Sequence, residues 1–118
     1  MGNLQYGYVW MEDKLEVPSS WLKNWAHKSS PVWFLGIHFY DLIYWLTDSE
    51  PVKIYATGVK DKLASLGIDT YDSIQSKIEL ENGINFTVDT SWILPDSFPS
   101  IVNQGIRVVG SEGMEEID

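Results

Sequence analysis

The first run of alternating positions is QYGYVWMEDK. Tyr6, Tyr8 and Trp10 fall on one side, and Gly7, Val9 and Met11 on the other. This predicts a strand with two apolar faces, ended by Pro18. Such a strand is covered twice, by helices on one face and by another sheet or subunit on the other. SSWLKNWAHK follows, with Trp21, Leu22 and Trp25 at helical spacing and Ser19 or Ser20 available as a cap. His27 and Lys28 lie near its end, where positive charge suits the helix dipole. After the break SSP, positions 35–46 again have helical period. Leu35, Phe39, Leu42, Ile43 and Leu46 make one broad face, and His38, Asp41, Leu42 and Trp45 the neighbouring one. A helix apolar over that much of its circumference is expected to be buried on most sides.

From position 52 onward the period is mostly two. Positions 52–59 predict a strand, and KDKLASLGID a loop with at most one helical turn. YDSIQSKIEL sets Ile74, Ile78 and Leu80 inward and Gln75, Lys77 and Glu79 outward. ENG supplies an Asn-Gly turn suited to positive φ. INFTVDTSWI then sets Ile84, Phe86, Val88 and Trp92 against Asn85, Thr87, Asp89 and Ser91. QGIRVVG is a short strand, and SEGMEEI a turn into the start of another. Five or six strands with two main helices early in the chain predict an α+β domain: a largely antiparallel open sheet with both helices on one face. No break in composition divides residues 1–118, so one domain is expected.

Charge narrows the function. Eight basic and seventeen acidic residues give a net charge of -9. That excludes the basic footprint of a nucleic-acid binder and disfavours an acidic membrane surface. With no cysteine there is no disulfide, thiolate metal site or Cys nucleophile, which suits a reducing compartment. No basic start followed by an apolar run marks a leader. The longest apolar run, 32–46, is interrupted by His38 and Asp41 and falls short of the about 20 residues that span a bilayer. A cytoplasmic location is the expectation. Both ends read as boundaries within a longer chain.

The chemistry-bearing residues are few. His38 and Asp41 stand three apart in an otherwise apolar stretch. Either they satisfy each other as a helical pair or they face a pocket. Trp21, Trp25, Trp33 and Trp45 could stack on a sugar face, though core packing is the ordinary reading of such residues. Thr87, Asp89 and Ser91 fit a solvated sheet face, and His27 a helix-end surface. Asp69 and Asp72 lie in a loop and its exit, without further ligands at metal spacing, so no metal site is expected.

At the helix the sequence resembles a known family. WFLGIHFYDLIYWLTDSEPVKIYA is similar to the C-terminal domain of NAD(P)-dependent oxidoreductases of the GFO/IDH/MocA type, which include glucose–fructose oxidoreductase and inositol dehydrogenase. VPSSWLKNWAHKSSPVWFLGIHFYD resembles the family's helix leading into a G-x-H-x-x-D motif. YDSIQSKIELENGINFTVDTSWILP resembles its strand, Asn-Gly turn and returning strand, and IRVVGSEGMEEID its late strand. The resemblance covers nearly the whole chain. It implies a glyceraldehyde-3-phosphate dehydrogenase-like C-terminal domain, separated from the Rossmann domain that binds NAD or NADP in the parent. No G-x-G-x-x-G follows a strand in these residues, so they are expected to bind no cofactor and to transfer no hydride alone.

The resemblance further implies a sugar, cyclitol or related polyol as substrate and a homo-oligomer built through the sheet face. His38 is implied as catalytic acid/base, with Gly36 and Asp41 supporting it. The family pattern D-x-G-x-H-x-x-D opens on an aspartate where this chain has Phe34. That departure points to another substrate or a different balance of catalytic groups. A second reading is a non-catalytic α+β module that binds a ligand or partner.

Overall fold

A computed structural model describes residues 2–118. Six strands make one sheet: β1 (Leu4–Lys14), β2 (Pro51–Val59), β3 (Ser73–Leu80), β4 (Asn85–Leu94), β5 (Val102–Gly110) and β6 (Gly113–Ile117). Their spatial order is β2-β3-β4-β1-β5-β6. Every neighbouring pair is antiparallel except β1 and β4, which run parallel with Tyr8 beside Thr87 and Val9 beside Val88. The β3–β4 hairpin turns at Asn82-Gly83, where Gly83 takes φ +88, a conformation that glycine reaches without steric cost. The open, largely antiparallel α+β sheet is the one expected.

Period two decides the two faces. Val9, Ile78, Leu80, Phe86 and Val88 point to one side and are buried under Phe39 and Ile43 of α1 (Ile37–Thr47). Gly7 lies in register with Phe86, and a Cβ there would collide with the Phe86 ring. A second cluster, Ala26, Leu35, Leu63 and Trp92, closes one end of the sheet. It is fixed by α2 (Lys62–Ser65), the single helical turn expected in KDKLASLGID. The Asp72 carboxylate accepts from the backbone N–H groups of Asp61, Lys62 and Leu63 at 3.0, 2.7 and 2.8 Å. These are the donors a helix start leaves without partners.

The first helix differs from expectation. In place of one helix, the chain forms a wide turn at Val17–Trp21, closed by Leu22 N–H on the Val17 carbonyl at 2.9 Å, and a separate 3-10 turn at Ala26–Lys28. Ser19 caps nothing; its hydroxyl donates to the Leu15 carbonyl at 2.7 Å. Geometry explains the break. Val17 and Ala26 are both buried, yet nine residues at 100° each would put them on opposite sides of a regular helix. Only one of the two expected main helices is therefore regular. A wide turn at Val32–Gly36 runs directly into it. β1 also ends at Lys14, before Pro18.

α1 is less buried than its composition suggests. Phe39 and Ile43 are covered, but Ile37, Tyr44, Trp45 and Leu46 stay exposed, Trp45 at 77%. Among the described residues no helix is long and apolar enough to cross a membrane. Among the described residues the opposite sheet face carries no helix. It presents Tyr6, Tyr8 and Trp10 beside Thr87 and Asp89. Tyr8 and Trp10 stack with centroids 5.3 Å apart. The Tyr8 hydroxyl donates to Asp89, and Gln75 Nε2 donates to the same carboxylate at 3.1 Å. Burial, and then the Asp89 carboxylate, push the Tyr8 phenol well above the ordinary tyrosine range.

Candidate functional site

α1 and the turn before it place the candidate residues. Gly36 is buried where the chain crosses the sheet, and a Cβ there would meet Val32, Tyr40 and Thr90 side chains at 3.0, 3.3 and 3.4 Å. Its place is one of close packing. One turn further, His38 and Asp41 are exposed, and no ion pair joins them. They do not satisfy each other. Both line a cavity of about 540 Å³ between α1 and the β1-β5-β6 side of the sheet, with Met11, Trp45, Gln104 and Ile117 among its other walls. That size suits a small ligand.

His38 also borders a second cavity, of about 390 Å³, whose walls include Val17, Trp21, Phe34 and Ile101. Met11 and His38 are common to both. The imidazole therefore stands on the ridge between two apolar hollows. An imidazole in that position can give or take a proton from a hydroxyl lying across the ridge.

Asp13 lines the second cavity as well. Its side chain is on the Val9 face of β1, and the residue is 6% exposed. Burial pushes the carboxyl up to about 6. The indole N–H of Trp92 favours its charged form but falls short of a hydrogen bond and has no partner elsewhere. Sequence reading passed over this residue, although the signal was there. The alternation that puts Gly7, Val9 and Met11 inward carries Asp13 inward too.

The tryptophans depart from the core-packing expectation. Trp21, Trp25, Trp33 and Trp45 are 62%, 42%, 70% and 77% exposed. Phe34 takes the packing role instead, its ring 5.9 Å from Trp25 and 5.8 Å from Trp92. Asp72 is a helix cap, Asp69 pairs with Lys60 at 3.1 Å, and His27 is exposed on its short turn. Among the described residues no group of three or more His, Asp or Glu could hold a metal ion. Among the described residues no glycine loop joins a strand to α1, and the turn before α1 uses the Phe34 N–H within itself, donating to the Ser30 carbonyl at 3.0 Å.

Comparison with known proteins places the chain. The family model described as the GFO/IDH/MocA C-terminal domain matches residues 1–116. No curated protein matches the sequence closely enough to support a relationship. Among solved structures, myo-inositol 2-dehydrogenase from Lactobacillus plantarum superposes with TM-score 0.83 at 21% identity, over 98% of this chain and 34% of that one. Scyllo-inositol dehydrogenase from Lactobacillus casei, solved with NAD(H) and scyllo-inositol, gives 0.81 at 17%, over 98% and 34%. UDP-N-acetylglucosamine 3-dehydrogenase from Acidithiobacillus ferrooxidans gives 0.76 at 20%, over 99% and 33%. At these identities the likeness is one of fold. The chain spans about a third of the length of these proteins.

Proposed function

Because the chain belongs to the GFO/IDH/MocA C-terminal domain family, we propose that it is the substrate-facing and assembly part of an oxidoreductase acting on a sugar, cyclitol or related polyol. The observation that carries this reading is the position of His38, on the ridge between two ligand-sized apolar cavities. Exposed Trp21 and Trp45 border them, and aromatic faces suit the C–H-rich side of a sugar ring. Two of the structural neighbours described above are inositol dehydrogenases.

In this reading a substrate hydroxyl lies against His38, which takes its proton as the carbinol carbon is oxidised. Asp41 stands on the same side of α1 and lines the same cavity, where it can hold the imidazole or a second hydroxyl. NAD or NADP, held by residues outside this chain, would accept the hydride. The uncovered face bearing Tyr6, Tyr8 and Trp10 is the assembly surface, joined to a second copy.

The test is turnover in the longer protein that carries this domain. His38→Ala should lower kcat for NAD(P)-linked oxidation of myo-inositol by about 10²- to 10⁴-fold with the fold intact. Unchanged turnover would remove His38 from the chemistry. Phe34 favours one alternative, a non-catalytic module that binds the ligand without oxidising it. Saturable myo-inositol binding with no turnover in that longer protein would decide for it.

A further inference from the structure

We propose that Asp13 is a ligand-binding residue of the His38 site, its carboxylate accepting a hydrogen bond from a hydroxyl of the bound polyol. This deepens the reading of the site given above and rests on it. Three observations carry it.

The first is an unexplained burial. Asp13 is 6% exposed and takes part in neither ion pair of the described residues. Buried carboxylates are ordinarily paired or bonded to backbone N–H groups, because losing water without a replacement is costly. Asp72, even more buried, shows the ordinary solution with its three backbone donors. Asp13 has no backbone donor and no cation; the Trp92 indole N–H alone lies beside it, favouring the charged form without the geometry of a full hydrogen bond.

The second is where the carboxylate opens. Of the ten residues around the 390 Å³ cavity, Asp13 and His38 alone have ionisable side chains, and the Trp21 indole N–H is the one other polar group. One comes from the sheet and the other from α1, so a molecule between them would be held from both sides. The third is local distortion. The pairing of β1 with β4 slips between Glu12 and Lys14, so that Glu12 faces Ser91 and Lys14 faces Leu94. Such bulges re-aim side chains, and they occur often beside active sites. Here the slip falls at Asp13 and Trp92.

The chemistry defines the ligand. A carboxylate only accepts, so the group entering this cavity must donate, while the remaining walls favour carbon. A hydroxyl on an apolar ring face satisfies both demands. A ligand carboxylate or phosphate at this end would face a like charge in a partly dry space, which costs several-fold to many-fold in affinity. The site should therefore take neutral polyols and reject acid sugars entering by this end.

The experiment follows the Asp13 carboxyl carbon and the His38 imidazole by NMR, with Asp and His selectively labelled, in the longer protein that carries this domain during titration with myo-inositol. It is repeated on Asp13→Asn, which keeps the shape and loses the charge. Glucose and glucuronate are then compared on both proteins. The proposal expects both resonances to move together and saturably. It also expects binding about tenfold or more weaker in Asp13→Asn, and glucose preferred to glucuronate only when Asp13 is present. Movement of His38 alone, with affinity unchanged in Asp13→Asn, would overturn the role of Asp13 and leave the substrate reading standing. No movement of either resonance at saturating polyol would overturn both.

Discussion

Asp13 is costly to keep charged in the fold, and that cost has a pH signature. Its carboxyl is pushed up to about 6 from an ordinary 3.8. A raised acid favours the folded state in its neutral form, so its contribution is complete below the unfolded value. It is lost as pH climbs from about 4 to about 6, and stays lost above. Asp13→Asn should therefore match the parent chain near pH 4 and exceed it above pH 6. The gain should be about 1–2 kcal/mol, discounted because the cavity admits water. Urea denaturation at the two pH values measures it, and equal stabilities at both would show that Asp13 is solvated. This residue was legible by parity alone, since it follows Gly7, Val9 and Met11 on the inward side. The lack of any partner was not legible, because it depends on which residues the rest of the chain brings near. The Phe34 ring was named in the sequence as a departure, but its contacts with Trp25 and Trp92 lie across distant segments.

Among the elements, α2 depends on a residue outside itself. Asp72 caps it from nine to eleven positions downstream, so no local capping pattern announces it. Asp72→Ala should strip one buried and two half-buried N–H groups of their acceptor and lower stability by about 1–3 kcal/mol in denaturant unfolding. A loss under about 0.5 kcal/mol would mean that water replaces the carboxylate. Strands and hairpin were the most readable elements, because alternation and the Asn82-Gly83 turn are local signals. α1 was readable from its period. The segment before it was not, since helical spacing of Trp21, Leu22 and Trp25 says nothing of the need to bury both Val17 and Ala26. The exposed tryptophans were misread for a related reason. Burial of a large side chain is decided by what covers it.

At the level of the whole molecule, the uncovered sheet face makes a prediction about association. Tyr6 is 50% exposed in a central strand, and Tyr8 and Trp10 continue the same stripe. Sedimentation equilibrium should find the chain as a dimer or larger assembly, and Tyr6→Glu should shift it toward monomer. A wild-type monomer at all concentrations would remove the assembly role. The class of fold was legible from strand count and the early helical region, and the family from the motif around His38. The order of strands was not, because alternation fixes a strand's faces and leaves its neighbours open. That order has a kinetic consequence. β1 pairs with β4 and β5, whose partners for Tyr8 are Thr87 and Arg107. It therefore has nowhere to dock until residues from the far end of the chain have been made. The β2-β3-β4 meander can form earlier from neighbouring segments, leaving β1 an aromatic ribbon with both edges bare. High sequence separation slows folding, and bare edges invite mispairing. On the ribosome this chain should close its sheet late, with β1 sliding into place between β4 and β5 as the last large step.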